Sequence, residues 1–355
     1  MVADDSVLGG FPMLNVYDSV DGKLVKRDTA AGIGEHPAWI DLLSPTRDED
    51  LLVEQTLGVK IPTREEMAEI EMSSRLYQEG GAHYMTAVVL HMKVPEAGAA
   101  EAASQSRRAP VEVLPPLPSS TPVTFVLAKS TLVTVRYEMP RALDIFLTRN
   151  QKGDNPCPTG CAVLIGLLEA IVDREADRVE QIQTGIDTLG HKIFDIRGGQ
   201  RSKNRRFDIA VKEIGREGDI TTKSRESLQS LDRLLTYLAF VMGERNEDKQ
   251  MRARVRTASR DVTGLNDQVS YLSNKLQFLL DATLGMISIE QNNIIKFFTV
   301  VSVALMPPTL IASIYGMNFK KMPELEWVFG YPMAIVLMLI SAIVPFIWFR
   351  RRGWL

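Results

Sequence analysis

Two long apolar stretches near the C-terminus constrain this chain more than any other feature. They cover residues 297–314 (FFTVVSVALMPPTLIASI) and 328–349 (VFGYPMAIVLMLISAIVPFIWF), and neither contains a charged residue. A helix needs about 20 such residues to cross a bilayer, so the first stretch lies at the lower limit and the second is long enough. We predict a first transmembrane helix over 291–315 and a second over 328–349. Burial as core helices of a soluble protein is the alternative.

The residues that flank the two stretches predict the orientation. Arg350, Arg351 and Arg352 directly follow the second stretch, and the positive-inside rule then places the basic tail, 350–355, in the cytosol. Two spans place the N-terminus there too, and the first residues lack the basic and apolar segments of a signal peptide. We therefore expect a multi-pass protein of the cell (inner) membrane, with an external loop over 316–327.

Composition and motifs argue against several other classes. The net charge of −3 is not that of a nucleic-acid-binding protein. The two cysteines, Cys157 and Cys161, have neither a redox nor a zinc-ribbon spacing, so we expect two reduced thiols. The four histidines form no HExxH motif, and neither a GxSxG nor a GxxxxGK[ST] motif occurs. We expect neither enzymatic activity nor an organic cofactor.

Residues 1–160 are predicted to form a cytosolic α/β domain. The segment 83–94 and two runs on either side of Lys129–Ser130, within 121–139, have the apolar and β-branched composition of strands. The segment 61–77 is predicted to be helical, because Thr63 and Glu66 match a capping box. Between the strands, 95–122 is rich in proline, alanine and serine, which predicts a disordered loop.

Residues 161–290 are predicted to be a helical region that ends in a long stalk helix. Apolar residues recur at helical spacing from Cys161 to Glu244, and the basic segment 197–208 is an interruption or a turn between helices. Helical periodicity resumes at Gln250 and continues to Tyr315, without proline before Pro307. A helix of about 65 residues would be near 100 Å long, and one copy would find little to pack against, so we expect oligomerisation.

A polar stripe marks one face of the first predicted span. Its members recur at steps of three and four residues, as in a heptad seam; they are Asn292, Ile295, Thr299, Ser302, Met306, Thr309 and Ser313. Hydroxyl groups in a membrane should not face lipid. Either they join helices together or they line an aqueous path between several copies, and the pattern alone leaves both interpretations open. Pro307 and Pro308 on the same helix free backbone carbonyls one turn earlier.

The segment after this span carries a family resemblance. YGMNF (315–319) followed by MPEL (322–325) resembles the signature of the CorA family of magnesium channels and transporters. The resemblance extends over 289–335 and the terminal RRRGWL, and TREEMAEIEMSSRLY (63–77) resembles the N-terminal domain of the family. GMN is shared with a zinc-transporting branch, whereas MPEL is typical of the magnesium branch. From the residues alone, Gly316 permits an exit from the helix with a positive φ, and Asn318 offers a neutral amide oxygen.

The resemblance implies a funnel-shaped homopentamer. Each subunit would have an α+β cytosolic domain, long stalk helices and two transmembrane helices. Gly316, Met317 and Asn318 would form the outer selectivity filter, and Phe298 would be a bulky gate residue beside the stripe. The resemblance also implies regulatory Mg²⁺ sites between subunits, for which Asp261 and Asp267 are candidates; ordinary solvated acids are the alternative.

The expected function is potential-driven Mg²⁺ transport through a pentameric channel-like pore that intracellular Mg²⁺ gates. The expected partners are further copies of the chain, the lipid bilayer and divalent metal ions, with Mg²⁺ both transported and regulatory. Lys320 and Lys321 depart from the family pattern and leave Glu324 as the main carboxylate of the external loop. Two alternatives remain: transport of cobalt, nickel or zinc, and a membrane sensor that does not conduct.

Overall fold

The computed structural model describes residues 13–28, 32–34, 36–69, 71–92, 117–153, 156–194, 200–317, 327 and 329–353. The chain forms two compact units, one of residues 1–196 and 210–278 and the other of 197–209 and 279–355. We call them the N-terminal and the C-terminal unit. The expected α/β domain, followed by two apolar C-terminal helices, is present.

The N-terminal unit contains a mixed sheet of seven strands in the order β2-β1-β3-β7-β6-β5-β4. The strands are β1 (Met13–Val20), β2 (Lys23–Arg27), β3 (Trp39–Leu43), β4 (Leu76–Glu79), β5 (Ala82–Met92), β6 (Pro118–Ala128) and β7 (Thr131–Arg136). Only the β3–β7 pair is parallel. Every residue of β3 and β7 is buried, as expected for central strands that are covered on both faces.

Both predicted strand regions are confirmed, although the second begins earlier than predicted. β5 lies within 82–92, and β6 and β7 flank the turn at Lys129–Ser130, where Lys129 has a φ of 50°. The loop predicted over 95–122 ends earlier, because 118–122 already belong to β6 and pair with 88–92 of β5. The remainder of that loop, 93–116, lies outside the described residues. The first three strands were not predicted.

The helix predicted over 61–77 is much shorter than expected. Its capping box is present: the Thr63 N–H donates to Glu66 Oε2 at 2.8 Å, and the Glu66 N–H donates to Thr63 Oγ1 at 3.3 Å. The helix nevertheless ends at Ala68, and after a second short helix Leu76–Glu79 form a strand. These four residues pair with 82–85 of β5 across a glycine turn, so pairing in the sheet outweighs local helix propensity.

Eight helices lie in the described parts of the chain. They are α1 (Arg47–Leu57), α2 (Arg64–Ala68), α3 (Met72–Arg75), α4 (Arg141–Lys152), α5 (Gly160–Phe194), α6 (Gln200–Glu244), α7 (Lys249–Tyr315) and α8 (Gly330–Arg351). The predicted amphipathic helices correspond to α5 and α6. The basic segment 197–208 is partly helical, since α6 begins at Gln200.

The long helix predicted from Gln250 to Tyr315 is confirmed as α7, which has 67 residues. Within the N-terminal unit it runs parallel to α5, because the residues that meet are separated by a nearly constant 85 to 88 positions. The contacts are Arg254 with Glu169, Gln268 with Gln183, and Lys275 with Asp187.

Two helices in the described part of the chain are long and apolar enough to cross a membrane, namely α7 through its C-terminal part and α8. The side chains of α8 that are not fully exposed recur at helical spacing along one face, and Gly330, Ala334 and Phe349 are the buried ones. The side chains on the other faces of α8 are large, apolar and exposed, for example Leu339 and Val344. An apolar surface of this kind is stable in lipid rather than in water.

Candidate functional site

The polar stripe lies on a single continuous helix. Because α7 runs without a break to Tyr315, a turn of 100° per residue places its seven members within an arc of about 100°. All of them are exposed within this single chain, including Ile295 (62%) and Met306 (69%). The heptad pattern in the sequence therefore forms one surface.

The opposite face of the same helix is covered. From residue 300 to residue 315, the side chains that are not fully exposed all lie on the far side of the helix from the stripe; they are Val300, Ala304, Pro307, Pro308, Ile311 and Tyr315. Val300 is the most buried, with 3% exposed. The chain thus covers one apolar face of this segment and leaves exposed both the polar stripe and flanking apolar side chains such as Leu305 and Leu310 (60% each).

The stripe presents oxygen atoms as hydrogen-bond acceptors. Thr299 Oγ1 donates to the Ile295 carbonyl at 2.8 Å, and Thr309 Oγ1 donates to the Leu305 carbonyl at 2.7 Å. Each hydroxyl proton is therefore directed to the helix backbone, and the oxygen lone pairs remain available on the exposed face. Oxygen acceptors are the groups that bind the water shell of a hard cation.

Two prolines on the covered face remove two backbone hydrogen-bond donors from the helix. Pro307 and Pro308 lie inside α7 and lack the N–H groups that would bond the carbonyls of Val303 and Ala304 in a regular helix. Such carbonyls are tolerated at membrane depth where protein groups or water satisfy them. The helix is therefore locally weakened at the level of Met306.

Two large apolar side chains interrupt the polar surface. Met306 belongs to the stripe, whereas Phe298 lies just beside it and is 63% exposed. Phe298 packs edge-to-face on Phe297, with ring centroids 5.8 Å apart. If several copies surround an axis, these side chains form apolar constrictions on either side of Thr299 and Ser302, with Thr309 and Ser313 beyond Met306.

The predicted selectivity filter is only partly described. Gly316 and Met317 follow α7 directly, and Met317 is 49% exposed. Asn318 and Glu324 lie outside the described residues. The positive φ that a glycine permits is not adopted at Gly316, and its N–H donates to the Ala312 carbonyl at 2.9 Å. A Cβ at this position would lie 3.1 Å from the Ala312 carbonyl oxygen, which is a tight contact with the last turn of the helix.

The two candidate regulatory acids do not face the same way. Both Asp261 and Asp267 are exposed on α7, and their separation of six residues turns them about 120° apart. Asp261 lines a cavity of about 240 Å³ between α4, α5 and α7, whereas Asp267 does not. Two further carboxylates line that cavity, Glu169 and Asp173.

The other carboxylates of this cavity are already paired with arginine. Arg254 contacts Glu169 through two hydrogen bonds of 2.9 and 2.6 Å, and Arg149 contacts Asp173 at 2.6 Å. Within the described residues, a single copy brings together no group of three or more histidine, cysteine or acidic side chains that could hold a metal ion. The described acids of one copy therefore form no such group by themselves.

Sequence reasoning missed the cavity and the covered face for different reasons. Glu169 and Arg254 are 85 positions apart, so only the parallel packing of α5 and α7 brings them together. The covered face of α7 was readable in principle, since Val300, Ala304 and Ile311 recur at helical spacing. In a wholly apolar segment, however, composition does not distinguish a protein-facing side from a lipid-facing one.

Comparison with known protein sequences gives a consistent result. Residues 34–351 match the family described as "CorA-like Mg2+ transporter protein". The chain is 32% identical over 318 residues to the magnesium transport protein CorA of Pectobacterium atrosepticum, covering 89% of this chain and 92% of the relative. The same values hold for the magnesium transport protein CorA of Escherichia coli K12.

Solved structures resemble the whole chain. The complete structure of the CorA magnesium transporter from Methanocaldococcus jannaschii matches with a TM-score of 0.70 at 17% identity, covering 98% of this chain and 100% of the other. The full-length CmaX protein matches with a TM-score of 0.63 at 14% identity, covering 97% and 98%. At these identities the structures support the fold alone.

Proposed function

Because this chain belongs to the CorA family of Mg²⁺ transport proteins, we propose that it carries Mg²⁺ across the cell (inner) membrane through a pore formed by five copies. The family is one of transporters and not of enzymes, in agreement with the absence of catalytic motifs from the sequence. The observation that carries the pore proposal is the uncovered stripe of α7 opposite a covered apolar face.

The proposed pathway is lined by α7. Five copies of the stripe, placed around one axis, would surround the ion with hydroxyl and amide oxygens. Mg²⁺ loses its water reluctantly, so oxygen acceptors that bond the water shell let the ion pass while it remains hydrated. A ring of Asn318 amides, with Gly316 and Met317, would select the ion at the outer end without the strong binding of a carboxylate ring, because conduction requires weak binding at several sites.

Closure and driving force follow from the same arrangement. Rings of Met306 and Phe298 would close the path by excluding water. A doubly charged ion gains about 4.6 kcal/mol per 100 mV of inside-negative potential, from about 2.3 per charge, so transport needs no nucleotide. The termini would lie in the cytosol, with Arg350, Arg351 and Arg352 at the inner surface of the membrane.

Regulation by internal Mg²⁺ would use carboxylates from different copies. Asp261 and Asp267 are exposed on different faces of α7, which suits two acids that meet partners on neighbouring subunits. The Arg149–Asp173 and Arg254–Glu169 pairs occupy the other carboxylates of the cavity. Bound Mg²⁺ would join the copies and hold the pore shut when the internal concentration is high.

The central test replaces the proposed filter amide. Asn318→Ala is expected to abolish Mg²⁺ uptake in Mg²⁺-starved, transport-deficient cells, while the protein still assembles in the membrane. Gln181→Ala, an exposed amide on α5, is the matched control and should transport normally. Normal uptake by the Asn318 variant would refute the filter.

The choice of ion requires a separate measurement. Uptake of labelled Mg²⁺ is measured in competition with Co²⁺, Ni²⁺ and Zn²⁺, and we expect Mg²⁺ itself to compete best. Stronger transport of Zn²⁺ would assign the chain to zinc transport. A purified protein that carries no ion into liposomes would favour the sensor alternative.

A further inference from the structure

Part of one sheet edge in the N-terminal unit is completed by side chains. β4 pairs only with residues 82–85 of β5, so no strand among the described residues lies beside the outward backbone groups farther along β5. Helix α6 supplies hydroxyls instead: the Val88 N–H donates to Ser230 Oγ at 2.9 Å, and Ser227 Oγ donates to the Val88 carbonyl at 2.8 Å. Two residues on, Glu175 of α5 accepts from the Leu90 N–H.

Glu175 is a buried carboxyl at the point where β5, α5 and α6 meet. The residue is 1% exposed, and its nearest counter-charge, Arg178 Nε, is 3.8 Å away. Glu175 Oε2, Arg178 Nε and Ser224 Oγ are buried without a hydrogen-bond partner among the described residues. An ionised carboxylate in this position would lack much of the stabilisation that water gives it.

The number of hydroxyl protons at this site favours the protonated acid. Ser227 hydrogen-bonds both to the Glu175 carboxyl and to the Val88 carbonyl, but a hydroxyl has one proton to donate. If Glu175 carries a proton, its O–H donates to Ser227 Oγ and the Ser227 proton goes to Val88. If Glu175 is ionised, its carboxylate and the Val88 carbonyl compete for the single Ser227 hydroxyl proton, and one of the two hydrogen bonds is lost.

The surroundings of Glu175 contain few charges. Its own helix contributes Arg178 and Arg174, whereas α6 contributes the Ser227 hydroxyl and β5 the Leu90 N–H. Burial is the largest effect and raises the pKa of Glu175 to about 7, against the lowering effects of Arg178, Arg174 and the hydrogen bonds from Ser227 and Leu90. His83 and His91 are the histidines of β5; burial lowers the pKa of His83, and His91 Nε2 lies 3.4 Å from Glu138 Oε2.

We propose that Glu175 is a proton-dependent clamp that fastens α5 and α6 to the free edge of β5 when it is protonated and loosens them when it is ionised. The folded protein binds this proton more tightly than the unfolded chain does, so the contribution to stability falls as the pH rises from the unfolded value near 4.5 to about 7. The clamp therefore holds more tightly in mildly acidic solution than in alkaline solution.

Hydrogen exchange of the full-length protein in detergent tests the clamp directly. For local opening that exposes Glu175 to water, exchange of the 86–92 amides should become about tenfold faster from pH 6 to pH 8, after correction for intrinsic rates. In Glu175→Gln, whose amide donates to Ser227 as the protonated acid does, this increase should disappear. Glu180→Gln, an exposed carboxyl on the same helix, should keep it.

Two outcomes would overturn the clamp. One is an equal pH response in the wild type and in Glu175→Gln. The other is measured on the wild type, so it applies even if Glu175→Gln does not fold. The infrared spectrum should contain the band of a buried protonated carboxyl at pH 6, and this band should be lost by pH 8. Absence of the band at pH 6 would refute the proposal.

A consequence for transport rests on the proposed function. If the clamp acts on the pore, Mg²⁺ flux into liposomes should depend on internal pH between 6 and 8 in the wild type and in Glu180→Gln, but not in Glu175→Gln. If Mg²⁺ flux does not depend on internal pH while hydrogen exchange does, the effect of the clamp is restricted to the N-terminal unit. Absence of flux in every variant would count against the transport proposal alone, since hydrogen exchange decides the clamp independently.

Discussion

A buried ion pair stabilises the centre of the sheet in the N-terminal unit. Asp41 on β3 is 2% exposed and Arg136 on the parallel β7 is 6% exposed. Arg136 donates from Nε and Nη2 to the two carboxylate oxygens at 2.9 and 2.8 Å. Thr134 also donates to Asp41 and accepts from Trp39 Nε1. The charge of Asp41 is thus balanced only as long as these partners remain.

The first prediction at this scale removes one partner of that pair. Arg136→Met leaves Asp41 buried without its counter-charge and should lower the free energy of unfolding by about 3–5 kcal/mol. Thermal or urea unfolding followed by circular dichroism in detergent measures it. Arg149→Met is the matched control, because the Arg149–Asp173 pair is about half exposed and should change stability by about 0–1 kcal/mol. Equal losses in both variants would contradict the assigned role.

Helix α5 depends on glycine at its first residue. Gly160 lies against the turn between β6 and β7, and its N–H donates to the Ser130 carbonyl at 2.7 Å. A Cβ at this position would lie 2.3 Å from the Leu132 backbone nitrogen, which real structures do not tolerate. The close approach of this helix to the sheet therefore requires the absence of a side chain.

This contact predicts opposite effects of the same substitution at two positions. Gly160→Ala should destabilise the protein by about 1–3 kcal/mol, because the helix must move away from the turn. Gly218→Ala, inside α6 with open space around the added carbon, should stabilise it by about 0.5–1 kcal/mol. The unfolding midpoints of the two variants should therefore move in opposite directions; a shift in the same direction would show that the close approach of α5 to the sheet is not required.

For the whole molecule, the stripe of α7 makes a prediction about assembly. The native thiols should contribute little to cysteine labelling, because Cys157 and Cys161 are buried and burial raises their pKa to about 11 and about 12. Such thiols are protonated at neutral pH and react slowly. A cysteine introduced on the stripe should therefore report on its own surroundings.

Ser302→Cys should react with a water-soluble thiol reagent, and copies of this variant should cross-link to one another through the new cysteine. In a separate experiment, a lysine-directed cross-linker should yield five linked copies as the assembled unit. Val300→Cys, on the covered face of the same helix, should remain unreactive. Mass determination in detergent and labelling in membrane vesicles measure the two results. A monomer, or a stripe cysteine that is protected under every condition, would refute the arrangement around a central axis.

The sequence by itself determined the elements whose signals are local. The two apolar spans, the long helix α7, the capping box at Thr63 and the β6–β7 hairpin follow from periodicity, charge and turn residues, and all four are present. The polar stripe was also readable, because a continuous helix converts steps of three and four residues into one face.

Only the tertiary structure decided where local preference yields to long-range contact. Leu76–Glu79 leave a helical pattern to pair with β5, and Ser227, Ser230 and Glu175 complete an edge that none of the described strands covers. The face of α7 that the chain covers and the pairing of Glu169 with Arg254 depend likewise on elements far apart in sequence. Burial is the physical reason: it is a property of the folded neighbourhood, and it determines which polar groups must find partners and which proton remains bound.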